Sequence, residues 1–328
     1  MKKFFIAMLT VCFLILPLSA CNKKPDSNVI RLNEVTHSVF YAPLYVAIEN
    51  GYFEEQGLKV ELSAGQGANN TMSALISGQA DIGLMGVEAS IYVANEGRAN
   101  YPIVFGQLTN CDGSFIMSRH KEENFTLENM IGKEILGGRK GGVPAMSLEH
   151  ALRKADVFDK VRFNDTIQFD VMVGAFVGGT GDYCTVFEPT ASMLEKEGSA
   201  YVVGAVGEYS GNMPFTAFTS NKNYLQNNSA KVEKFMKAIV KAINFVMVND
   251  ENVVANAVKN QFATTDLNIL ASSIKRYKEI GAYRQTPVMD KADFEHLQDI
   301  IIEAGIMEKR ADFSKIVDNS IAEKVMAK

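Results

Sequence analysis

Residues 41–61 read YAPLYVAIENGYFEEQGLKVE, and the change of rhythm inside them decides the fold. Leu44, Ala47, Ile48 and Phe53 fall at helical spacing, which predicts a helix over residues 42–56. Pro43 starts it, because the N–H that proline lacks would have no partner in a first helical turn. Gly51 and Gly57 shape its end, since glycine enters the left-handed conformation without a Cβ clash. At Leu58 the period drops to two, and residues 58–62 (LKVEL) predict a strand. An alternating apolar run over 29–35 predicts another strand before the helix. Strand, helix, strand with short links is the unit of a parallel sheet.

The same rhythm extends outward. A tight turn at Gly65-Gln66-Gly67 leads into a helix over 69–77, capped by Gly78. A strand over 81–85, a helix over 87–96 and a strand over 102–108 follow. The middle of the chain gives a strand over 133–136, a glycine-rich turn (137–142, GGRKGG) and a helix over 144–155. It continues with a strand over 183–187, a helix over 189–197 and a strand over 201–206. Residues 229–248, 251–262, 267–280 and 291–304 are helical patterns with few β signals. The expected fold is therefore α/β with two lobes, mainly parallel sheets flanked by helices, and a helical carboxy-terminal part packed on lobe one. Lobe one is expected over 29–111 plus 215–328, and lobe two over 112–214. Hinge strands near 108–113 and 214–220 would join them.

The amino terminus has its own logic. Lys2 and Lys3 precede an apolar run over 4–16, too short for a good membrane span, which ends in Leu18-Ser19-Ala20-Cys21. This resembles a bacterial lipoprotein signal over 1–20, with Cys21 the lipidated first residue. Residues 21–28 are polar and contain Pro25, so they read as a tether. The expected place is extracytoplasmic, anchored by lipid to the cell membrane.

Composition narrows the function. Asp and Glu (38) outnumber Lys and Arg (33), and no basic cluster stands out, so a nucleic-acid footprint is not indicated. Four His and four Cys exclude a disulfide-dense or metal-rich scaffold, so no metal or cofactor is expected. Cys111 and Cys184 read as separate buried thiols.

Residues 41–61, Gly78-Gln79-Ala80-Asp81-Ile82-Gly83 and Phe187-Glu188-Pro189 together resemble the extracytoplasmic binding proteins of ABC importers. That family takes alkanesulfonates, taurine, nitrate and thiamine pyrimidine precursors, and the resemblance covers about residues 29–250. It implies the periplasmic-binding-protein type II fold, a small ligand held between the lobes, and a membrane permease as partner. A monomer is expected. Members that bind pyrimidine precursors tend to carry an Asn-His pair where this chain has Phe40-Tyr41, and the cysteine-rich motif of the eukaryotic pyrimidine synthases is absent.

Ligands of open α/β sheets sit at the carboxyl ends of strands. The candidate contacts in lobe one are therefore His37, Phe40, Tyr41, Gln66, Gly67 and Glu88. Lobe two offers Gly141, Gly142, Thr185, Phe187 and Glu188. The aromatic rings would flank a flat ligand, and the turns before helices offer free N–H groups. Buried carboxylates would bind amino or amidine groups by charge-assisted hydrogen bonds and repel an anion. The expected ligand is thus a nitrogenous aromatic heterocycle such as a thiamine pyrimidine precursor, with a sulfonate, taurine or nitrate-type anion as runner-up. Each contact has a plainer alternative: a packed ring, a structural histidine, or a carboxylate favoured at a helix start by the helix dipole alone. Asp81 reads as part of a strand-entry turn. A hydrolase or pyrimidine-synthase-like enzyme on the same fold would need a nucleophile or acid–base pair. No G-x-S-x-G, H-E-x-x-H or Walker lysine is present, which leaves Cys184 beside Thr185 as the conceivable nucleophile. A sensor or adhesion module would need a fused domain or repeats, and neither is seen.

Overall fold

The computed structural model describes residues 28–97 and 101–327. The expected leader, most of the tether and Cys21 lie outside them. Among the described residues ten strands form two five-stranded sheets. They are β1 (Val29–Glu34), β2 (Lys59–Ala64), β3 (Ile82–Met85), β4 (Pro102–Thr109), β5 (Ser114–Ser118), β6 (Glu134–Leu136), β7 (Arg162–Asn164), β8 (Tyr183–Phe187), β9 (Tyr201–Ala205) and β10 (Thr216–Asn221). The first sheet runs β2-β1-β3-β10-β4 and the second β7-β6-β8-β5-β9.

The two sheets share one plan. β1 pairs in parallel with β2 and β3, and β6 with β7 and β8. The fourth place in each sheet is filled by an antiparallel strand: β10 between β3 and β4, and β5 between β8 and β9. Each of these two strands follows a crossing of the chain from one sheet to the other. The structure thus has the expected two mainly parallel lobes with two connecting strands.

Local sequence explains most elements; β7 and the helices Val206–Ser210, Lys222–Asn227, Phe313–Ile316 and Ser320–Met326 were not expected, and three further differences have a plain physical cause. The helix expected over 42–56 is broken into Ala42–Glu49 and Tyr52–Glu55, because Gly51 turns left-handed at φ 69°. Strand β5 went unpredicted because all five of its residues are buried, which erases alternation. The helix Phe169–Val177 went unpredicted because its sequence, FDVMVGAFV, is apolar nearly throughout and shows no stripe.

The carboxy-terminal helices do more than cover lobe one. Helix Ser229–Val248 packs on Ala42–Glu49 and Tyr52–Glu55, with Phe53 and Phe235 stacked at 5.1 Å. Helix Leu267–Glu279 reaches Thr190–Glu197 of lobe two, and helix Lys291–Glu303 reaches Val143–Lys154 of lobe two as well as Glu88–Asn95 of lobe one. His150 Nδ1 meets Glu303 Oε2 at 2.6 Å, and His296 Nε2 meets the Ser210 carbonyl at 2.8 Å. The main hydrophobic cluster is accordingly continuous through both lobes.

Candidate functional site

The strand ends of lobe one meet those of lobe two, and the expected residues there divide into two groups. One group is committed to the framework. His37 Nδ1 lies 2.8 Å from Glu34 Oε1 and Nε2 lies 2.9 Å from the Gln261 carbonyl, an arrangement that suits an imidazolium donating from both nitrogens. The hydrogen bond to Glu34 accordingly raises its pKa above the ordinary histidine value. Ser38 caps the short turn Val39–Tyr41 and donates from Oγ to the Glu188 carbonyl at 3.0 Å, tying the lobes together. Phe40 is fully buried among Tyr277 (4.9 Å between ring centroids), Tyr41 and Phe215 (5.6 Å each) and Phe187 (5.7 Å).

Glu188 belongs to the same group. Its carboxylate accepts from the Ser192 backbone N–H and hydroxyl, both at 2.9 Å. It also accepts from Ser273 Oγ at 3.2 Å and Arg276 Nη1 at 2.8 Å. Its backbone N–H donates to Tyr277 Oη at 3.0 Å. Arg276 continues to Glu195, so the carboxyl end of β8 is riveted to helix Leu267–Glu279.

The remaining expected residues are less committed to the framework. Tyr41 is 3% exposed, and burial holds its phenol well above the ordinary value despite a hydrogen bond with Thr216. Gln66 sits at φ 56°, a conformation uncommon for a residue with a Cβ, and Gly67 follows at φ 136° into helix Ala68–Ile76. Glu88 opens helix Glu88–Asn95 and folds back over Gly86, where a Cβ would come within 2.0 Å of its Oε2. It is 5% exposed, and Oε2 has no hydrogen-bond partner. Burial pushes Glu88 up to about 7, against the pull of its own N–H, the Arg139 charge and the Ala89 N–H. One turn on, Tyr92 Oη donates to the carbonyl of Gly141 in lobe two at 3.4 Å. Gly141 adopts φ 75° and lines a cavity of about 20 Å³ beside Ile306, roughly one water in size. Gly142 caps helix Val143–Lys154. Thr185 Oγ1 is buried without a partner, and Phe187 packs on Phe40 and Phe215 while keeping some exposure.

Sequence reasoning missed three neighbours of this region. Asp112, in the first crossing, is fully buried. Its Oδ1 accepts from the Ser114 N–H (2.7 Å) and hydroxyl (2.6 Å), while Oδ2 has no partner, and burial pushes it up to about 7. Tyr92 was detectable as the residue four places after Glu88, on the same helical face. Arg139 was detectable as a charge inside a glycine-rich turn at the end of β6. A separate cavity of about 370 Å³ opens beside the crossing, among Asn110, Met247, Lys278, Tyr283, Arg284 and Thr286, and none of the expected contacts lines it.

The two raised carboxyls give a signed pH dependence. Each holds its proton longer folded than unfolded, so through these two groups the ligand-free protein is expected to lose stability from about pH 4 to pH 7, with the raised His37 adding a further loss above the ordinary histidine range. At 1.36 kcal/mol per pKa unit the loss is about 3 kcal/mol for Glu88 and about 4 kcal/mol for Asp112. Melting curves of the wild type and Glu88→Gln across pH 4.5–8 test this. The variant is expected to show a shallower fall, and equal slopes would contradict it.

Two mainly parallel α/β lobes joined by two strands, with polar groups gathered where the strand ends face each other, define the periplasmic-binding-protein fold. The chain belongs to the NMT1/THI5-like family, which matches residues 39–253. It is 39% identical over 315 residues, 95% of this chain and 94% of the other, to a Bacillus subtilis (strain 168) protein named as a binding protein, YtlA. The 4-amino-5-hydroxymethyl-2-methylpyrimidine phosphate synthase of Aspergillus parasiticus is 26% identical over 223 residues, 63% of each chain. The fold is that of the alkanesulfonate-binding protein SsuA from Xanthomonas axonopodis pv. citri bound to MOPS. That structure aligns with TM-score 0.71 at 17% identity, covering 89% of this chain and 99% of that one. The family expected from residues 41–61 is thus the family found.

Proposed function

We propose that the chain is the solute-capture subunit of an ABC-type importer. It holds a small, flat, nitrogen-bearing heterocycle, such as a thiamine pyrimidine precursor, between its lobes and passes it unaltered to a membrane permease. Glu88 carries the ligand class: a carboxyl oxygen buried without a partner is costly, and a ligand N–H relieves that cost with a charge-assisted bond. In its ionised form it would meet a sulfonate or nitrate with like charge. In this reading Tyr41, Gln66, Gly67, Gly141, Gly142 and Thr185 complete the contacts. His37, Phe40 and Glu188, with their bonds already made, hold the frame around them.

Transport without turnover is supported by the state of the thiols. Burial pushes Cys111 up to about 12 and Cys184 higher still, so both stay protonated and poorly nucleophilic. The similarity to a protein named as a binding protein supports the same reading. The proposal includes lobes bounded at 29–111 plus 215–328 and 112–214, a lipid anchor at Cys21 on the extracytoplasmic face, and a monomeric state.

A thermal-shift series with pyrimidines, flavins, sulfonates, nitrate and amino acids tests it, because a ligand that binds the native state raises its melting temperature. A flat nitrogenous compound is expected to give the largest rise and to be recovered unchanged by mass spectrometry. Glu88→Gln is expected to weaken it about tenfold or more. A sulfonate giving the largest rise would overturn the ligand class, and a new product would overturn transport.

A further inference from the structure

The cavity of about 370 Å³ beside the first crossing falls within the range of about 300–1,000 Å³ usual for small-molecule sites. Two cations, Lys278 and Arg284, line it with Asn110, Gln285, Thr286 and Met247, and among the described residues no carboxylate does. Its wall is fixed by the course of residues 282–287 along the edge of β4. The Asn110 N–H donates to the Ala282 carbonyl and the Gln107 N–H to the Pro287 carbonyl, both at 2.8 Å, and the Arg284 N–H donates to the Leu108 carbonyl at 3.2 Å. The Arg284 guanidinium is held by Asn110 Oδ1 at 2.8 Å and the Val288 carbonyl at 2.7 Å, while its carboxylate partner, Asp293, stands off at 3.4 Å.

Lys278 is less well compensated. One of its three donors goes to the Asn249 carbonyl, and among the described residues no carboxylate stands within ion-pair range of it. Burial holds its pKa below the ordinary lysine value in spite of the Glu251 and Asp250 charges. Asp250 is already engaged, since its Oδ1 caps helix Glu251–Val258 by accepting from the Asn252 and Val253 N–H groups at 2.9 and 3.0 Å. An incoming oxyanion would supply the missing charge through charge-assisted hydrogen bonds.

We propose that this cavity is a second binding site, separate from the cleft, that takes a small organic anion: its carboxylate or phosphate oxygens meet Lys278, Arg284 and the donors of Gln285 and Thr286, and its carbon skeleton lies against Met247. A cation would meet two like charges there, and a neutral molecule would leave Lys278 as it is. Asn110, which lines the cavity, also accepts at its carbonyl from the Met213 N–H of the second crossing at 2.9 Å. The bound anion therefore adjoins a link between the two crossings.

The chain has no tryptophan, so Val248→Trp, at a position 70% exposed and next to Met247, provides a single reporter beside this cavity. Citrate, glycerol 3-phosphate, glycerol and spermidine are titrated into this variant, with tryptophan emission and calorimetric heat followed together. At least one of the two anions is expected to shift the emission with a Kd below about 1 mM, more weakly as salt is raised, and the tighter of them shows whether carboxylate or phosphate is preferred. Glycerol and spermidine are expected to give no shift. Adding Lys278→Gln or Gln285→Glu is expected to weaken the anion about tenfold. Gln285 is exposed, so its variant carries the test even if Lys278→Gln fails to fold. Heat without an emission change, or anion binding that Gln285→Glu leaves untouched, would put the anion elsewhere and overturn the site. Spermidine binding as well as the anions, or a Kd above about 1 mM for both anions, would overturn it too. The heterocycle reading of the cleft stands or falls separately.

Discussion

Glu188→Ala is expected to destabilise the folded chain by about 3–5 kcal/mol, the usual consequence of removing one partner of a buried ion pair. The Glu188 side chain has no exposure and that of Arg276 only 24%. The alanine variant would leave Arg276 with Glu195 and the Ser192 hydroxyl, and the hydroxyls of Ser192 and Ser273 without their shared acceptor. A fall in melting temperature of about 5–15 °C follows from ordinary unfolding entropies. Glu188→Gln keeps the volume and part of the hydrogen bonding, so an intermediate loss is expected. A loss below about 1 kcal/mol for alanine would mean that the network adds little beyond packing.

Phe40→Ala is expected to have an effect of similar size for a different reason. Truncating a buried phenylalanine costs about 3–5 kcal/mol, because the transfer free energy is lost and the cavity does not fully collapse. Here the ring touches groups from four parts of the chain: Tyr41 in lobe one, Phe187 in lobe two, Phe215 in the second crossing and Tyr277 in the helical part. Gly113 in the first crossing lies so close that a Cβ there would come within 2.6 Å of the ring. Collapse would need all of these to shift together, which places the loss toward the upper end. Urea unfolding of the variant measures it. The double variant with Phe187→Ala should lose less than the sum, since the rings share one contact.

The sequence was most legible where burial is one-sided. Strand β2 and the helix Ser229–Val248 announced themselves by period, and Gly51, Gly57 and Gly78 by the left-handed turns that only glycine takes freely. Where both faces are buried the period vanishes: β3 and β4 were still legible as short apolar runs between helices, whereas β5, directly after a crossing, and the apolar helix Phe169–Val177 were not. Site residues follow a related rule. Glu88 was identifiable because a carboxylate at a helix start after a strand is a local pattern. What occupies His37 and Glu188 was not, because their partners Gln261, Ser273 and Arg276 lie some 80 to 220 positions away. Asp112 carries no distinguishing pattern in the sequence. Only the fold reveals that both of its flanking elements close over it and leave one oxygen unpaired.

The place of β10 bears on how the chain reaches this form. Lobe two's sheet is drawn from an unbroken run of chain, β5 to β9, and has every strand it needs once Ala205 has been made. The other sheet has a gap between β3 and β4 until residues 216–221 arrive. A nascent or truncated product ending before Thr216 therefore exposes two bare strand borders in mid-sheet, ready to recruit a strand from a neighbouring molecule. Synthesis order thus favours the second lobe maturing first, with the earlier-made half waiting on the later one.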